Sequence, residues 1–416
     1  MSNDRPVAGT QPGSSKLRLT QLDSLRGLAA LSVFWFHAFG MLAVKPAWLA
    51  FIMVTPIGAL FNGRSAVWLF FVLSGFVLNL KYVETGKYPR FWKTDFLVRR
   101  VFRLYPAFLV ILLLAFVLKA FVFNPSVAYA IYPDGFAEEW KMAYSTSDIA
   151  RLMTLMLPGV KLHINPPVWS LVEEMRVALL FPFLIIAVNR WAGKIPNLLV
   201  LLGSYAIGLA MPHVSTLQFL PHFVLGAICA RHVRVMSAWL QSQVTAVRYG
   251  WLLLAFCLYS ASTVIPGVAS LKHSVQFAIY QAVGFGAAGI IIYFTALVSP
   301  TGIMGSKPMR FLGETSYSFY LSHYILMCAL SFWVIKSTGS VVIAWFVVLA
   351  IVYFLSYLIY NFIEEPMNRI GHRALPTVLG LQPIQNAGAR PSAASVTVGA
   401  TSRQPVEASN DKQDLR

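Results

Sequence analysis

Two side chains stand out in the apolar stretch LDSLRGLAALSVFWFHAFG: Arg26 and, eleven residues on, His37. On a helix that separation is roughly 16 Å along the axis, so if one sits near a bilayer face the other sits near or past the midplane. An ionisable group at that depth is costly and marks function by default. His37 has two readings. It is a hydrogen-bonded packing residue, or it is a general base, a role suited to an imidazole that titrates near neutrality. FFVLSGFVL sets Ser74 and Gly75 in mid-span, where glycine permits close approach of another helix or a ligand, and a packing notch is the simpler reading. In FLVRRVFRLYPAF, Arg99, Arg100 and Arg103 stand a helical turn apart or less, expected at the inner face. They are either a topological anchor or a clamp for phosphate oxygens, which guanidinium forks match. PPVWSLVEEMRVALLFP carries Glu173, Glu174 and Arg176 within two turns of an expected outer helix end. A helix dipole favours carboxylates there, which accounts for Glu173 better than for the deeper Glu174 and Arg176. His222 and His323 each read as structural on their own. No HExxH, CxxC or carboxylate cluster points to a metal, and no Gly-rich loop after a strand points to a nucleotide fold.

The elements that must position these groups follow from composition. Of 416 residues, 57% are hydrophobic and 12% charged; a soluble domain carries about 25% charged residues, so lipid is the expected main solvent. The net charge of +17 comes from short clusters between apolar runs, as membrane topology demands, rather than from a nucleic-acid surface. Cys229, Cys257 and Cys328 all lie in apolar segments and read as small buried hydrophobes. A helical crossing takes about 20 apolar residues. The chain is therefore expected to be an all-α polytopic membrane protein with about ten transmembrane helices: 25–44, 65–82, 104–122, 168–188, 195–211, 217–231, 249–267, 274–297, 317–337 and 340–362. The run 49–61, broken by Pro56 and Gly58, reads as interfacial or re-entrant, and 150–160 as interfacial.

With the N-terminus inside, inner segments hold 23 Lys and Arg and outer segments eight, a bias that orients the bundle and needs an even number of spans. The expected organisation is a cytosolic segment 1–24, without a cleavable signal peptide, a membrane domain 25–366, and a cytosolic, mostly disordered tail 367–416 rich in Ala, Ser, Gln, Pro and Gly.

The series of segments resembles the acyltransferase-3 family of membrane acyltransferases. In order these are LDSLRGLAALSVFWFH, FFVLSGF, RRVFRLYP, WSLVEEMRVALLFP, FLGETSYSFYLSHY and IEEP, spread over about residues 20–367. Arg26 and His37 fit the family's basic residue and histidine with ten residues between, Arg100 and Arg103 its paired arginines, and Glu174, not Glu173, its glutamate. Met175-Arg176 departs from the acidic residue and Gln that many relatives carry, and no SGNH hydrolase-like domain follows the membrane region within these residues. The resemblance implies O-acylation of a surface polysaccharide, glycolipid or other extracytoplasmic acceptor, with an acyl-CoA donor, acetyl-CoA foremost, and a place in the bacterial cytoplasmic (inner) membrane with both termini cytosolic. Catalysis is then expected from His37, as general base or transient acyl carrier, with Glu174 orienting it or binding the acceptor. Donor binding is expected from Arg26, Ser74, Arg99, Arg100 and Arg103, and no metal is expected. A polytopic transporter or flippase for a lipid-linked saccharide is the alternative, since intramembrane His, Glu and Arg suit a transport path equally well.

Overall fold

The computed structural model describes residues 19–42, 45–86, 91–131, 138–155, 162–190 and 193–378. The polar segment 1–18 and the stretch from 379 onward lie outside them, so the expected disorder of the far tail falls there too. The described residues are helical, with no strand.

Eleven helices carry the argument: α1 (Thr20–Gly40), α2 (Gly63–Thr85), α3 (Trp92–Phe121), α4 (Trp169–Arg190), α5 (Lys194–Ala210), α6 (Ser215–Ser242), α7 (Thr245–Tyr259), α8 (His273–Leu297), α9 (Ser316–Thr338), α10 (Val341–Ile359) and α11 (Glu365–Val378). Six spans, Gly63–Glu84, Trp92–Phe121, Ser215–Ser242, His273–Leu297, Ser316–Thr338 and Val341–His372, are long and apolar enough to cross a membrane. That is fewer than the ten expected. The physical reason is visible in the other four. Ile195–Ala210 and Thr245–Tyr259 are apolar but short. α1 and α4 are long, but they hold the charged and titratable residues on which the functional reading rests.

Local chemistry sets the helix ends. Asn62 caps α2, its side-chain oxygen accepting from the backbone N–H of Arg64 and Ser65. Ser340 does the same for α10 through Ile343. α3 and α11 both depart from expectation. α3 runs for 30 residues, about 45 Å, so its arginines sit inside a continuous helix rather than in a loop before one. α11 carries helix to Val378, into the stretch read as an irregular tail, and packs on α3, where Gly371 meets Phe102.

The closest packing uses glycine. A Cβ on Gly75 would lie 2.1 Å from the Phe223 carbonyl oxygen, and one on Gly226 would lie 2.0 Å from that of Val72, so α2 and α6 touch backbone to backbone. A second such joint holds α1 against the short helix Lys307–Glu314. There a Cβ on Gly27 would meet the Leu312 carbonyl carbon at 2.6 Å, and one on Gly313 the Asp23 oxygen at 2.3 Å. Ser24 adds a hydroxyl bond of 2.5 Å to the Met304 carbonyl. Together these fix the N-terminal end of α1, and with it Arg26.

Candidate active site

The packing notch expected at Ser74–Gly75 is half of the finding. Gly75 faces α6, and the Ser74 hydroxyl, one residue earlier, turns the other way and donates to Glu174 Oε1 at 3.1 Å. The same carboxylate oxygen receives Arg100 in a salt bridge. Arg100 is 6% exposed, unlike an anchoring arginine, whose head reaches water. Its Nε is buried without a partner among the described residues, a donor left over for something else. Sequence position put Arg100 at one face of the bilayer and Glu174 near the other, yet they meet. α3 starts two turns before Arg100, which carries the arginine into the bundle. The segment before α4 packs into the bundle: Asn165 Nδ2 donates to the Leu321 carbonyl at 2.8 Å, and Pro167 and Val168 are buried.

These residues line a cavity of about 80 Å³ whose wall includes Arg26, Ser74, Arg100, Arg103, Glu174 and Tyr317. Arg26 also pairs with Asp23 at 3.3 Å. Three guanidinium groups and one carboxylate thus converge in a bundle interior, where unscreened charge needs a counter-ion. Tyr320 closes the cavity on its far side, its hydroxyl 2.9 Å from the Pro167 carbonyl and 2.7 Å from Ser170 Oγ.

His37 is not in the cavity wall. It lies beyond Tyr320, its ring 5.3 Å from that of His323 and 5.1 Å from that of Tyr324. The Tyr320 and His323 rings are 5.8 Å apart, so cavity, tyrosine, His323 and His37 form a continuous row. His323 is fully buried; its Nδ1 stands 2.6 Å from the Tyr320 carbonyl oxygen, a contact that requires the proton on Nδ1. In the neutral ring Nε2 is then the lone-pair nitrogen, and it has no partner among the described residues. Read singly, His323 looked structural. Its place in SYSFYLSHY was the only hint otherwise, since a pair of imidazoles from α1 and α9 cannot be seen in either helix alone.

Other candidates separate from the site. Arg99 turns away from the cavity, to Asp95 at 2.7 Å and to His372. Glu173 is 5% exposed and accepts from Ser215 at 2.6 Å, Thr216 at 2.5 Å and Arg176 at 3.2 Å, so it ties the start of α6 to α4. His222 packs on Gly284, with Nε2 3.2 Å from the Tyr280 carbonyl oxygen, as a structural histidine would. Cys229 and Cys328 are buried, but Cys257 is exposed on the outer surface of the bundle, contrary to the expectation for all three. Glu364, from the IEEP segment, is buried at the end of a π-helical turn, Tyr360–Glu364, and accepts from Ser318 Oγ at 2.8 Å. Sequence reading gave it no role beyond membership of that segment.

The profile of an acyltransferase domain, acyltransferase-3, matches residues 19–361. The acyltransferase MdmB of Streptomyces mycarofaciens is 26% identical over 403 residues, covering 88% of this chain and 96% of that protein. The O-acetyltransferase OatA of Staphylococcus aureus (strain NCTC 8325 / PS 47) is 24% identical over 392 residues, covering 86% of this chain; the chain spans 58% of its length. No solved structure matches. The matched region takes in every cavity residue and both histidines of the row, and on that extent of similarity the chain is a membrane acyltransferase belonging to the acyltransferase-3 family.

Proposed function

We propose that the protein moves an acyl group, acetyl foremost, from cytosolic acyl-CoA to a hydroxyl of an extracytoplasmic acceptor such as a surface polysaccharide or glycolipid. The observation that carries this reading is the row from a buried arginine cavity through Tyr320 to the His323–His37 pair. Arginine forks suit the phosphate oxygens of CoA, and an imidazole suits removal of a hydroxyl proton. α1, α4, α5 and α7 cross the bilayer with the six longer spans in this reading, which puts both termini in the cytosol of a bacterial inner-membrane protein.

In the reaction, His37 takes the proton of the acceptor hydroxyl as its oxygen attacks the thioester carbonyl. The carbon–sulfur bond breaks, the CoA thiolate leaves, and the imidazolium returns the proton to it. Arg26, Arg100 and Arg103 hold the donor. Glu174 and Ser74 hold Arg100 in place, a role the geometry favours over the earlier expectation that Glu174 orients His37, since Glu174 bonds the arginine and serine. Arg99 is left out of the clamp by its pairing with Asp95. His323 presents its unpaired Nε2 beside His37. At about 80 Å³ the cavity has room for roughly two or three waters. In this reading the cavity widens on donor binding, and Tyr320, which lines the cavity and neighbours His323, stands on the thioester's way to His37.

The test is incubation of the purified protein in detergent with acetyl-CoA labelled in the acetyl group. Labelled acceptor, labelled protein or CoA release supports acyl transfer. A protein that moves a lipid-linked saccharide across vesicles and leaves acetyl-CoA intact is a transporter instead. Mass spectrometry of surface glycans and secreted metabolites, from cells with and without the gene, then identifies the acceptor.

A further inference from the structure

A second cavity shares no lining residue with the first. Gly226 of α6 packs on α2, whereas Ile228, two residues on, projects to the other side of the helix and lines a space of about 460 Å³ between α5, α6, α7 and α8. Its wall is almost wholly apolar, from Leu201, Ile228, Met236 and Ile292 to the tryptophans Trp239 and Trp251, whose rings are 5.6 Å apart. The volume is that of a small-molecule site, commonly about 300–1,000 Å³ with an apolar lining and a few placed polar groups. It opens outward past Leu198 and Val235, both exposed on the face where bilayer lipid would lie.

One polar pair sits in this wall. Asn197, 2% exposed, directs Nδ2 to His232 Nε2 at 2.9 Å, and its Oδ1 is buried without a partner among the described residues. An amide oxygen removed from water and left unbonded is unfavourable, so the cavity calls for an occupant with a long aliphatic part and a hydroxyl or amine donor. Charge narrows the choice. Between Glu174 and Glu314 the sequence has nine lysines and arginines and no aspartate or glutamate. Arg231, Arg234 and Arg248 stand in that stretch, within three residues in sequence of the cavity-lining His232, Val235 and Trp251, though none of the three lines the cavity itself and Arg248 also donates to the Gln241 carbonyl.

We propose that this cavity is a binding site for one anionic glycerophospholipid with a hydroxylated headgroup, of the phosphatidylglycerol type. One acyl chain fills the apolar space, a headgroup hydroxyl donates to Asn197 Oδ1, and the phosphate meets the arginines of that end. The site is separate from the arginine cavity of α1, α3 and α4, and the proposal does not depend on the transfer reaction.

The test uses the full-length protein, stripped of lipid in detergent and then given phosphatidylglycerol, phosphatidylethanolamine or phosphatidylcholine of the same chain composition. Phosphatidylglycerol is expected to raise the thermal unfolding midpoint by about 3 °C or more at saturation, with the other two giving less than half of that. Phosphatidylglycerol with brominated chains should quench tryptophan fluorescence, and the quenched share should fall in Trp239→Phe with Trp251→Phe. Asn197→Leu should weaken binding about three- to tenfold, as for one lost hydrogen bond. Val235→Trp, at an exposed position on the mouth, should block binding while leaving the fold intact. Equal shifts from phosphatidylglycerol and phosphatidylcholine would reduce the cavity to ordinary lipid contact, and equal shifts from phosphatidylethanolamine would remove the anionic requirement; either overturns the proposal. So would undiminished binding in both Asn197→Leu and Val235→Trp.

Discussion

His37 and Arg100 are the residues whose loss should separate chemistry from binding. His37→Ala is expected to lower acetyl transfer about 10²–10⁴-fold, the usual worth of a general base, with an unchanged unfolding midpoint; near wild-type turnover would remove it from the reaction. Arg100→Ala has a second consequence, because Glu174, whose side chain is 21% exposed, would keep a largely enclosed charge whose present hydrogen-bond partners are that arginine and a serine. Removing one partner of a buried pair costs about 3–5 kcal/mol, whereas replacing both by apolar groups is often neutral. Arg100→Leu combined with Glu174→Leu should therefore recover most of the stability lost in Arg100→Ala and none of the activity. If the double variant also regains transfer, the pair is scaffolding and not part of the donor clamp. Arg26, His37, Arg100, Arg103 and Glu174 drew attention in the sequence because charged groups in apolar helices are few, and the family resemblance narrowed the choice to them, whereas Ser74 by itself read as a packing notch. Arg99 could not be told from Arg100 that way. Only the direction each side chain takes from α3 separates them, one toward Asp95 and one toward Glu174.

Two glycine joints matter more to the site than their distance from the chemistry suggests. Gly313 is not in the cavity wall, yet it sets the position of α1, since a Cβ there would strike the Asp23 backbone. Gly313→Val should cost about 1–3 kcal/mol of stability through overpacking. It should also impair transfer by displacing Arg26 and His37 together. Full activity at an unchanged unfolding midpoint would show that the α1 joint yields freely. The helices themselves were legible as apolar runs, but their lengths were not. α3 began twelve residues earlier than its apolar run, because helix continues through WKTDFLVRRVFR, where hydropathy falls but nothing breaks the chain. α4 was placed correctly along the sequence, but its contact with the arginines of α3 was not legible there: the packing of residues 162–168 into the bundle leaves no mark in a hydropathy pattern.

Across the whole molecule, the positive-inside bias and the reading of ten spans make a joint prediction about sidedness. In a background with Cys257 replaced by serine, Ser270→Cys should react with a membrane-impermeant maleimide on intact cells, and Ser242→Cys only after lysis. The reverse pattern would invert the bundle, and labelling of both on intact cells would break the α7 crossing between them. The row from the arginine cavity to the histidine pair joins α3 and α4 to α9 and α1, and the proposed transfer, with CoA kept in the cytosol, requires the sidedness that this labelling reads.

What the sequence determined by itself was the solvent, the helical class, the family and the short roster of polar groups worth suspecting, because each follows from composition, hydropathy or the order of short segments. Tertiary structure decided which of those groups meet. The pairing of Arg100 with Glu174, the apposition of His37 and His323, the departure of Arg99 and the structural duty of Glu173 all depend on helix depth and rotation. Those are set by backbone contacts between helices distant in the chain, at Gly75–Phe223 and Gly313–Asp23 among others, and no local pattern encodes them.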